Sequence, residues 1–200
     1  MEKGKLIVFE GISGTGKETQ AHLLGEYLQA RHIENKIVYH PSVELKQILA
    51  SWRRDRQIDR TVEVYLLLAD RCHHVQKAIL PALARGIWII SLRSWVSALV
   101  YQGETAKDQK WIMSEFARFE PTCDRLFYFD IDPVTALART QKRHTKTGEP
   151  LGKFEIPRLL AAKRQKYQLI LQNIEHVAID ASGDVDTVHK SIVNHLVDLV

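Results

Sequence analysis

Five short apolar runs, each separated from the next by a helical pattern, predict an α/β protein: a three-layer α/β/α arrangement around a five-stranded parallel sheet. Two further observations agree. The first run, Leu6-Ile7-Val8-Phe9, is apolar at every position, as a parallel strand covered on both faces requires. A glycine-rich turn spanning residues 10–19 follows at once, and Ala21, Leu23, Leu24, Tyr27 and Leu28 then recur at helical spacing.

The elements follow in order. Strands are expected at 5–9, 36–40 (Lys-Ile-Val-Tyr-His), 87–91 (Ile-Trp-Ile-Ile-Ser), 125–130 (Arg-Leu-Phe-Tyr-Phe-Asp) and 176–180 (His-Val-Ala-Ile-Asp), all rich in β-branched or aromatic residues. Helices are expected near 17–31, 42–52, 60–85, 95–103, 107–118, 133–143, 155–173 and 184–199. The stretch 145–153 carries two glycines and a proline and reads as a loop, with a short lid at about 143–154. In an open parallel sheet, ligands gather beyond the carboxyl ends of the strands. The glycine turn, His40, Ser91 to Ser94 and Asp130 to Asp132 all fall there.

A length of 200 residues suits one domain spanning 1–200. The net charge of +4 is small and spread along the chain, which favours small anionic ligands over nucleic acid. Trp52-Arg53-Arg54-Asp55-Arg56 is the one short basic-aromatic stretch, and an exposed helix end explains it more simply than a nucleic-acid stripe. Cys72 and Cys123 lack metal-ligand spacing, so two reduced thiols are expected. The nine histidines offer no usable metal spacing either. No run approaches a membrane span, and the first apolar run is too short for a secretory signal. These features predict a cytoplasmic protein that binds neither nucleic acid nor membrane.

Residues 10–19, Glu-Gly-Ile-Ser-Gly-Thr-Gly-Lys-Glu-Thr, approach the phosphate-binding loop (P-loop) pattern Gly, four residues, Gly-Lys-Ser/Thr. Gly11, Gly14 and Gly16 permit positive φ and close backbone approach, so successive N–H groups can face an anion. The helix opening at Lys17 adds its positive end, and the Lys17 ammonium would reach the outer phosphates of a triphosphate. Ser13, Thr15, Glu18 and Thr19 complete the stretch expected on ATP. A plain strand-to-helix turn would use the same glycines.

Several stretches in one order carry a wider resemblance. Lys5 to Leu28, then 65–71 (Tyr-Leu-Leu-Leu-Ala-Asp-Arg), 79–86 (Ile-Leu-Pro-Ala-Leu-Ala-Arg-Gly), 89–103 ending Tyr-Gln-Gly, and Leu126 to Arg139 together resemble the thymidylate kinases, members of the P-loop NTPase fold. The resemblance implies transfer of the ATP γ-phosphoryl group to dTMP, with Mg²⁺ as cofactor and a homodimer as the assembly. It implies Arg93 and Arg71 on the acceptor monophosphate, and Ser97 and Gln102 near its base or sugar. It also implies a catalytic arginine from the lid, for which Arg143 is the candidate, with Arg139 nearer the adenine. Lys17, Arg93 and Arg143 are then the catalytic set. Arg139, Lys142, Arg143, His144 and Lys146 would equally suit a helix C-terminus, whose dipole favours cations.

Four positions depart from the family pattern. Glu18 stands where a Ser or Thr hydroxyl ligates Mg²⁺, and Leu92 replaces the acid of an Asp-Arg pair. Tyr39-His40-Pro41 replaces Arg-Glu-Pro, and Leu67 replaces an aromatic that stacks on thymine. Glu18 bringing a carboxylate as Leu92 removes one would conserve charge around Mg²⁺, which accepts one or two carboxylates. Thr19 is the alternative hydroxyl. The competing expectations are a weakened or inactive nucleotide-binding relative, or a kinase with shifted base preference. The apolar residues Trp111, Met113, Phe116 and Phe119 are expected to pack into the core, with part of the stripe available to a dimer.

Overall fold

A computed structural model describes residues 3–55, 58–148 and 155–200. The five strands are β1 (Leu6–Glu10), β2 (Asn35–Tyr39), β3 (Trp88–Leu92), β4 (Arg125–Asp130) and β5 (Val177–Asp180). They form one parallel sheet in the order β2-β3-β1-β4-β5. The five-stranded parallel sheet with helices on both sides is what the strand pattern predicts, and it is consistent with the P-loop NTPase fold that the resemblance implies.

Burial explains the sheet order. β1 and β3 are buried at every residue, whereas β2 at the edge is only half-buried along most of its length. Phe9 of β1 meets Phe127 edge-on at 5.7 Å between ring centres and Phe129 at 4.8 Å, locking β1 to β4. The chain fills one side of β1 and then the other, so a crevice opens beside the carboxyl end of β1.

On one face α1 (Lys17–Gln29) packs against α9 (Val185–Asn194). The remaining helices include α2 (Val43–Asp55), α3 (Arg60–His74), α5 (Trp95–Gln102) and α6 (Ala106–Phe116), with α5 packed on α6 and α3. α7 (Pro133–Thr147) and α8 (Pro157–Leu171) pack on each other, and α8 also lies on α5. Side-chain caps start most of these helices: Asp59 for α3, Ser94 for α5, Thr105 with Asp108 as a capping box for α6, and Asp132 for α7.

Two differences from the sequence reading have local causes. The segment 60–84 is not one α-helix: a π-turn at Val75–Ile79 separates α3 from α4 (Leu80–Ala84). Pro81 has no N–H to give the preceding turn, and the widened turn absorbs that loss. Helix α7 runs to Thr147, so Arg143, His144 and Lys146 are helical, and Gly148 at φ 72° closes the helix. Most of the predicted lid, 149–154, lies outside the described residues.

Replacing Phe9 by Ala removes the ring that β1 shares with two β4 phenylalanines and should cost about 3–5 kcal/mol in urea unfolding. A loss below about 1 kcal/mol would mean that β1 is not the central support described.

Candidate nucleotide-binding site

The site begins with a carboxylate at the end of β1. Glu10 is fully buried. Its Oε1 accepts from Ser94 N (2.7 Å), Ser94 Oγ (2.8 Å) and Ser97 N (3.3 Å), and its Oε2 from Ser97 Oγ (2.6 Å) and Tyr167 Oη (2.8 Å). A carboxylate supplied with this many donors can stay ionised without water. It fixes the start of α5, and with it Ser97, Tyr101 and Gln102, relative to the glycine loop.

That loop is as tight as its composition predicts. Gly14 adopts φ 84°, and a Cβ there would sit 2.2 Å from the Ala136 carbonyl oxygen. Gly16 also has φ 84° and begins α1 without a side-chain cap, which leaves the first amides of the helix to an external acceptor. Lys17 is buried against the loop, with Nζ 2.6 Å from Ile12 O, 2.9 Å from Thr15 Oγ1 and 3.0 Å from Gly11 O. Burial lowers its pKa well below the usual lysine range, and Arg93 and Arg143 push the same way. An anion in the loop would reverse that penalty.

Opposite the loop, Arg93 follows β3 with φ 77°, a conformation rare outside glycine. Its N–H donates to Phe9 O (2.9 Å), and its carbonyl accepts from Ser91 Oγ (2.8 Å). The guanidinium donates to Ser97 Oγ (3.0 Å) and Tyr167 Oη (3.1 Å) and lies 5.2 Å from the Tyr101 ring centre. Burial alone would lower its pKa, but Tyr101, Tyr167 and Glu10 raise it above the ordinary value, so the charge persists.

A cavity of about 220 Å³ joins these parts. Ser13, His40, Lys46, Arg53, Arg93, Ser97, Gln102 and Glu155 give its polar lining, and Leu49, Leu67 and Ala98 its apolar wall. A larger cavity of about 470 Å³ lies among Trp95, Met113, Phe116 and the residues leading into β4 and β5. It is mostly apolar and sits at the amino ends of those strands, so the smaller one is the candidate site.

The structure gathers most, though not all, of the expected residues. Ser13 donates to Glu155, which also accepts from Arg143 Nη2 at 2.9 Å, so the helical start of the lid is tied to the glycine loop. Arg71, expected on the acceptor phosphate, is not among the residues that line this cavity. It is wholly buried, pairs with Glu120 through Nε (2.9 Å) and Nη2 (2.6 Å), and donates from Nη1 to Ser91 Oγ (3.0 Å). Through Ser91 it braces the Arg93 turn. Arg139 likewise spends its donors on the carbonyls of Ala181 (2.7 Å), Ser182 (3.2 Å) and Gly183 (3.4 Å). Asp132 caps α7, and Asp130 pairs with Arg164 at 2.7 and 2.8 Å.

Three of the four departures meet at the end of the sheet. Glu18 and Thr19 are exposed on the first turn of α1, and Glu18 Oε1 accepts from Tyr39 Oη at 3.2 Å. Leu92 is buried in register with both Phe9 and Tyr39. Leu67 forms part of the cavity wall. The sequence reading missed Arg53, Lys46, Glu63 and Glu155. Arg53 in particular does not end in solvent: it lines the cavity, while the side chains of Arg54 and Asp55 and all of Arg56 lie outside the described residues.

Elsewhere, Phe116 packs in the core, Trp111 and Phe119 are half-buried, and Met113 is exposed. Cys72 and Cys123 are free thiols, and burial pushes Cys123 up to about 11. Among the described residues no helix is long and apolar enough to cross a membrane, and no cluster of three metal-ligating side chains occurs.

The chain is similar to known proteins along most of its length. The protein family described as Thymidylate kinase matches residues 9–192. A thymidylate kinase of Akkermansia muciniphila is 35% identical over 82% of this chain and 78% of its own length. A probable thymidylate kinase of Methanosarcina acetivorans is 32% identical over 99% of this chain and 98% of its own. A thymidylate kinase of Magnetococcus marinus is 32% identical over 95% and 94%.

His40, which lines the cavity, is one of a titrating pair. His40 Nδ1 lies 3.3 Å from Asp70 Oδ2, which also accepts from Ser42 N at 3.0 Å. Burial lowers the His40 pKa below 6.5. Burial alone would raise Asp70, but the hydrogen bonds from His40 and Ser42 bring it down to about 2. In both cases the unfolded chain takes up the proton first. The stability contributed is therefore complete above the unfolded pKa and is lost as pH falls, for His40 below about 6.5. The melting temperature should drop between pH 7.5 and 5.5, and His40→Gln should flatten that slope. An unchanged slope in the variant would assign the effect to other groups.

Proposed function

The chain belongs to the thymidylate kinase family, and we propose that it transfers the γ-phosphoryl group of ATP to dTMP, yielding ADP and dTDP. The observation that carries this reading is the single cavity reaching from Ser13 of the glycine loop to Arg93, Ser97 and Gln102. Donor phosphates and an acceptor monophosphate would meet there.

In this reading the triphosphate tail lies on the amides of Gly11 to Lys17, with Ser13, Thr15 and Thr19 beside it. Lys17 exchanges the oxygens of Gly11, Ile12 and Thr15 for the β- and γ-phosphate oxygens. Arg93, preset by Ser97, Tyr167 and its unusual backbone, holds the dTMP phosphate in line with the γ-phosphorus. An oxygen of that phosphate attacks the γ-phosphorus, and the bond to the ADP oxygen breaks. Arg143 is released from Glu155 to meet the charge spreading over the transferred group, a role worth ~10³–10⁵ in rate. Gln102 and Ser97 sit toward the base and sugar. Arg71 acts through Ser91 as a support for the Arg93 turn.

Mg²⁺ fits the residues present. It needs one or two protein oxygens when phosphates and water complete its shell, and Glu18 and Thr19 offer a carboxylate and a hydroxyl on the turn that follows the phosphate cradle. When bound it would neutralise phosphate charge. The hydrogen bond from Tyr39 would keep the Glu18 carboxylate facing that position.

A homodimer suits the exposed apolar residues Val62 and Tyr65 of α3 and Met113 of α6, where Tyr65 meets Trp111 edge-on at 5.5 Å. A cytoplasmic location goes with the two free thiols.

Coupled measurement of ADP release tests the reading directly. Wild-type protein with ATP and Mg²⁺ should turn over dTMP, Lys17→Ala should lose at least about 10³-fold, and Glu18→Ala should weaken Mg²⁺ dependence by about tenfold or more. Binding of both nucleotides with no ADP release would make the chain a non-catalytic relative. Full activity in Glu18→Ala would remove Glu18 from the metal.

A further inference from the structure

His40 is the first residue past β2, and it leaves the sheet beside Arg93, the first residue past β3. Tyr39 and Leu92 are partners in the register, and the His40 N–H donates to Leu92 O at 3.0 Å, so the two residues emerge side by side at the carboxyl end. Both line the cavity. The imidazole is anchored through one nitrogen: Nδ1 lies 3.3 Å from Asp70 Oδ2, and that carboxylate is itself fixed by Ser42 N at 3.0 Å. Among the described residues Nε2 has no hydrogen-bond partner, and it is not one of the sealed, partnerless nitrogens. We propose that His40, oriented by Asp70, is a second contact for the acceptor monophosphate beside Arg93, and that it takes up a proton as the phosphate enters. The proposal rests on the kinase reading above and adds a proton to the acceptor-binding step.

Hydrogen-bond polarity sets the ring. An ionised carboxylate only accepts, so Nδ1 carries the proton that faces Asp70, and Nε2 is the nitrogen that gains or loses one. Neutral, Nε2 presents a lone pair, which repels a phosphate oxygen. Protonated, it donates to that oxygen with a full charge behind the bond. Around the ring, Asp70 of α3 and Glu120 beyond α6 favour the proton, while burial and Arg71 of α3 oppose it. On the cavity side Lys46 and Arg53 of α2 and Arg93 oppose it by their sign, and Glu155 favours it. Phe116 of α6 meets the ring edge-on at 6.3 Å between centres and adds no charge.

The sign of the pH effect follows. Burial lowers the His40 pKa below 6.5, so the free ring is neutral above that pH. A phosphomonoester carries a charge of about −1.5 to −2 at pH 7, and such a charge set against Nε2 raises the pKa again. Binding therefore takes up a proton, and the acceptor should bind more tightly as pH falls from 8.5 to 7. That window lies above the second ionisation of the ligand phosphate, at about 6, so the ligand's own titration does not produce the effect.

The test is calorimetric titration with dTMP and with thymidine, which lacks the phosphate, in buffers of different ionisation enthalpy, with melting curves to verify folding. At pH 7.5 wild type should take up about half a proton or more beyond His40→Gln on binding dTMP, and should bind it about tenfold more tightly. From pH 8.5 to 7 the wild-type Kd for dTMP should tighten by about threefold or more, and that of His40→Gln should stay flat. Thymidine should bind both proteins alike. Asp70→Asn removes the ionised acceptor that fixes the ring, so it should lose the extra proton too, and it carries the comparison if His40→Gln does not fold. Equal proton uptake in wild type and variants, or a His40→Gln that weakens thymidine as much as dTMP, would overturn the inference while leaving the kinase reading in place. A wild type that binds neither ligand would overturn both.

Discussion

The site depends on one buried charge. Glu10 ends the central strand with no solvent around it, and donors from two stretches of chain, 94–97 and Tyr167, converge on its two oxygens. An ionised carboxylate in such a place is tolerable only while those donors stay. The requirement works outward: Ser97 Oγ and Tyr167 Oη give their protons to Glu10 and so turn lone pairs to Arg93. The same carboxylate sets the first turn of α5 and follows directly into the glycine loop. The glycine loop and the Arg93 side of the cavity are thus indexed to one atom group, the kind of positioning from which phosphoryl transfer gains more than from covalent chemistry.

Legibility followed the range of the interaction. The glycine loop, its lysine and all five strands could be read because their signals are local: positive φ at Gly14 and Gly16, period and β-branching along each strand. The role of Arg71 could not. Its partner Glu120 is 49 residues away, and nothing near Arg71 distinguishes a buried ion pair from a ligand contact. Arg53 was misread for the converse reason. Beside Trp52 and Arg54 it looks like a solvated helix end, and only the fold brings Glu63 and the cavity to it. Arg139 shows the same limit, since its three carbonyl partners lie more than forty residues downstream. The π-turn before Pro81 was locally signalled and still missed, because an uninterrupted apolar pattern ran through it.

The departures from the family pattern look less independent in space than in sequence. Tyr39 and Glu18 are hydrogen-bonded, and Leu92 fills the core position between Phe9 and Tyr39 in the sheet register. A guanidinium at 39, a hydroxyl at 18 and a carboxylate at 92 would be a charged set. A phenol, a carboxylate and an isobutyl group form another with its own hydrogen bond. Glu18 restores the carboxylate that Leu92 removes, while Tyr39 in place of a guanidinium leaves the set one positive charge poorer. The joint replacement leaves Arg93, Lys17 and the glycine loop, the parts proposed to grip phosphate, in place.

The central claim is that the crevice beside β1 seats two phosphate-bearing ligands facing each other, with Arg93 between the acceptor and the loop. A crystal structure of the protein with ADP, Mg²⁺ and dTMP tests it most directly. The account predicts the β-phosphate on the amides of Gly14 to Lys17 and the dTMP phosphate on the Arg93 guanidinium, with its base against Gln102. A dTMP phosphate seated away from Arg93, or ADP bound with the glycine loop empty, would contradict it.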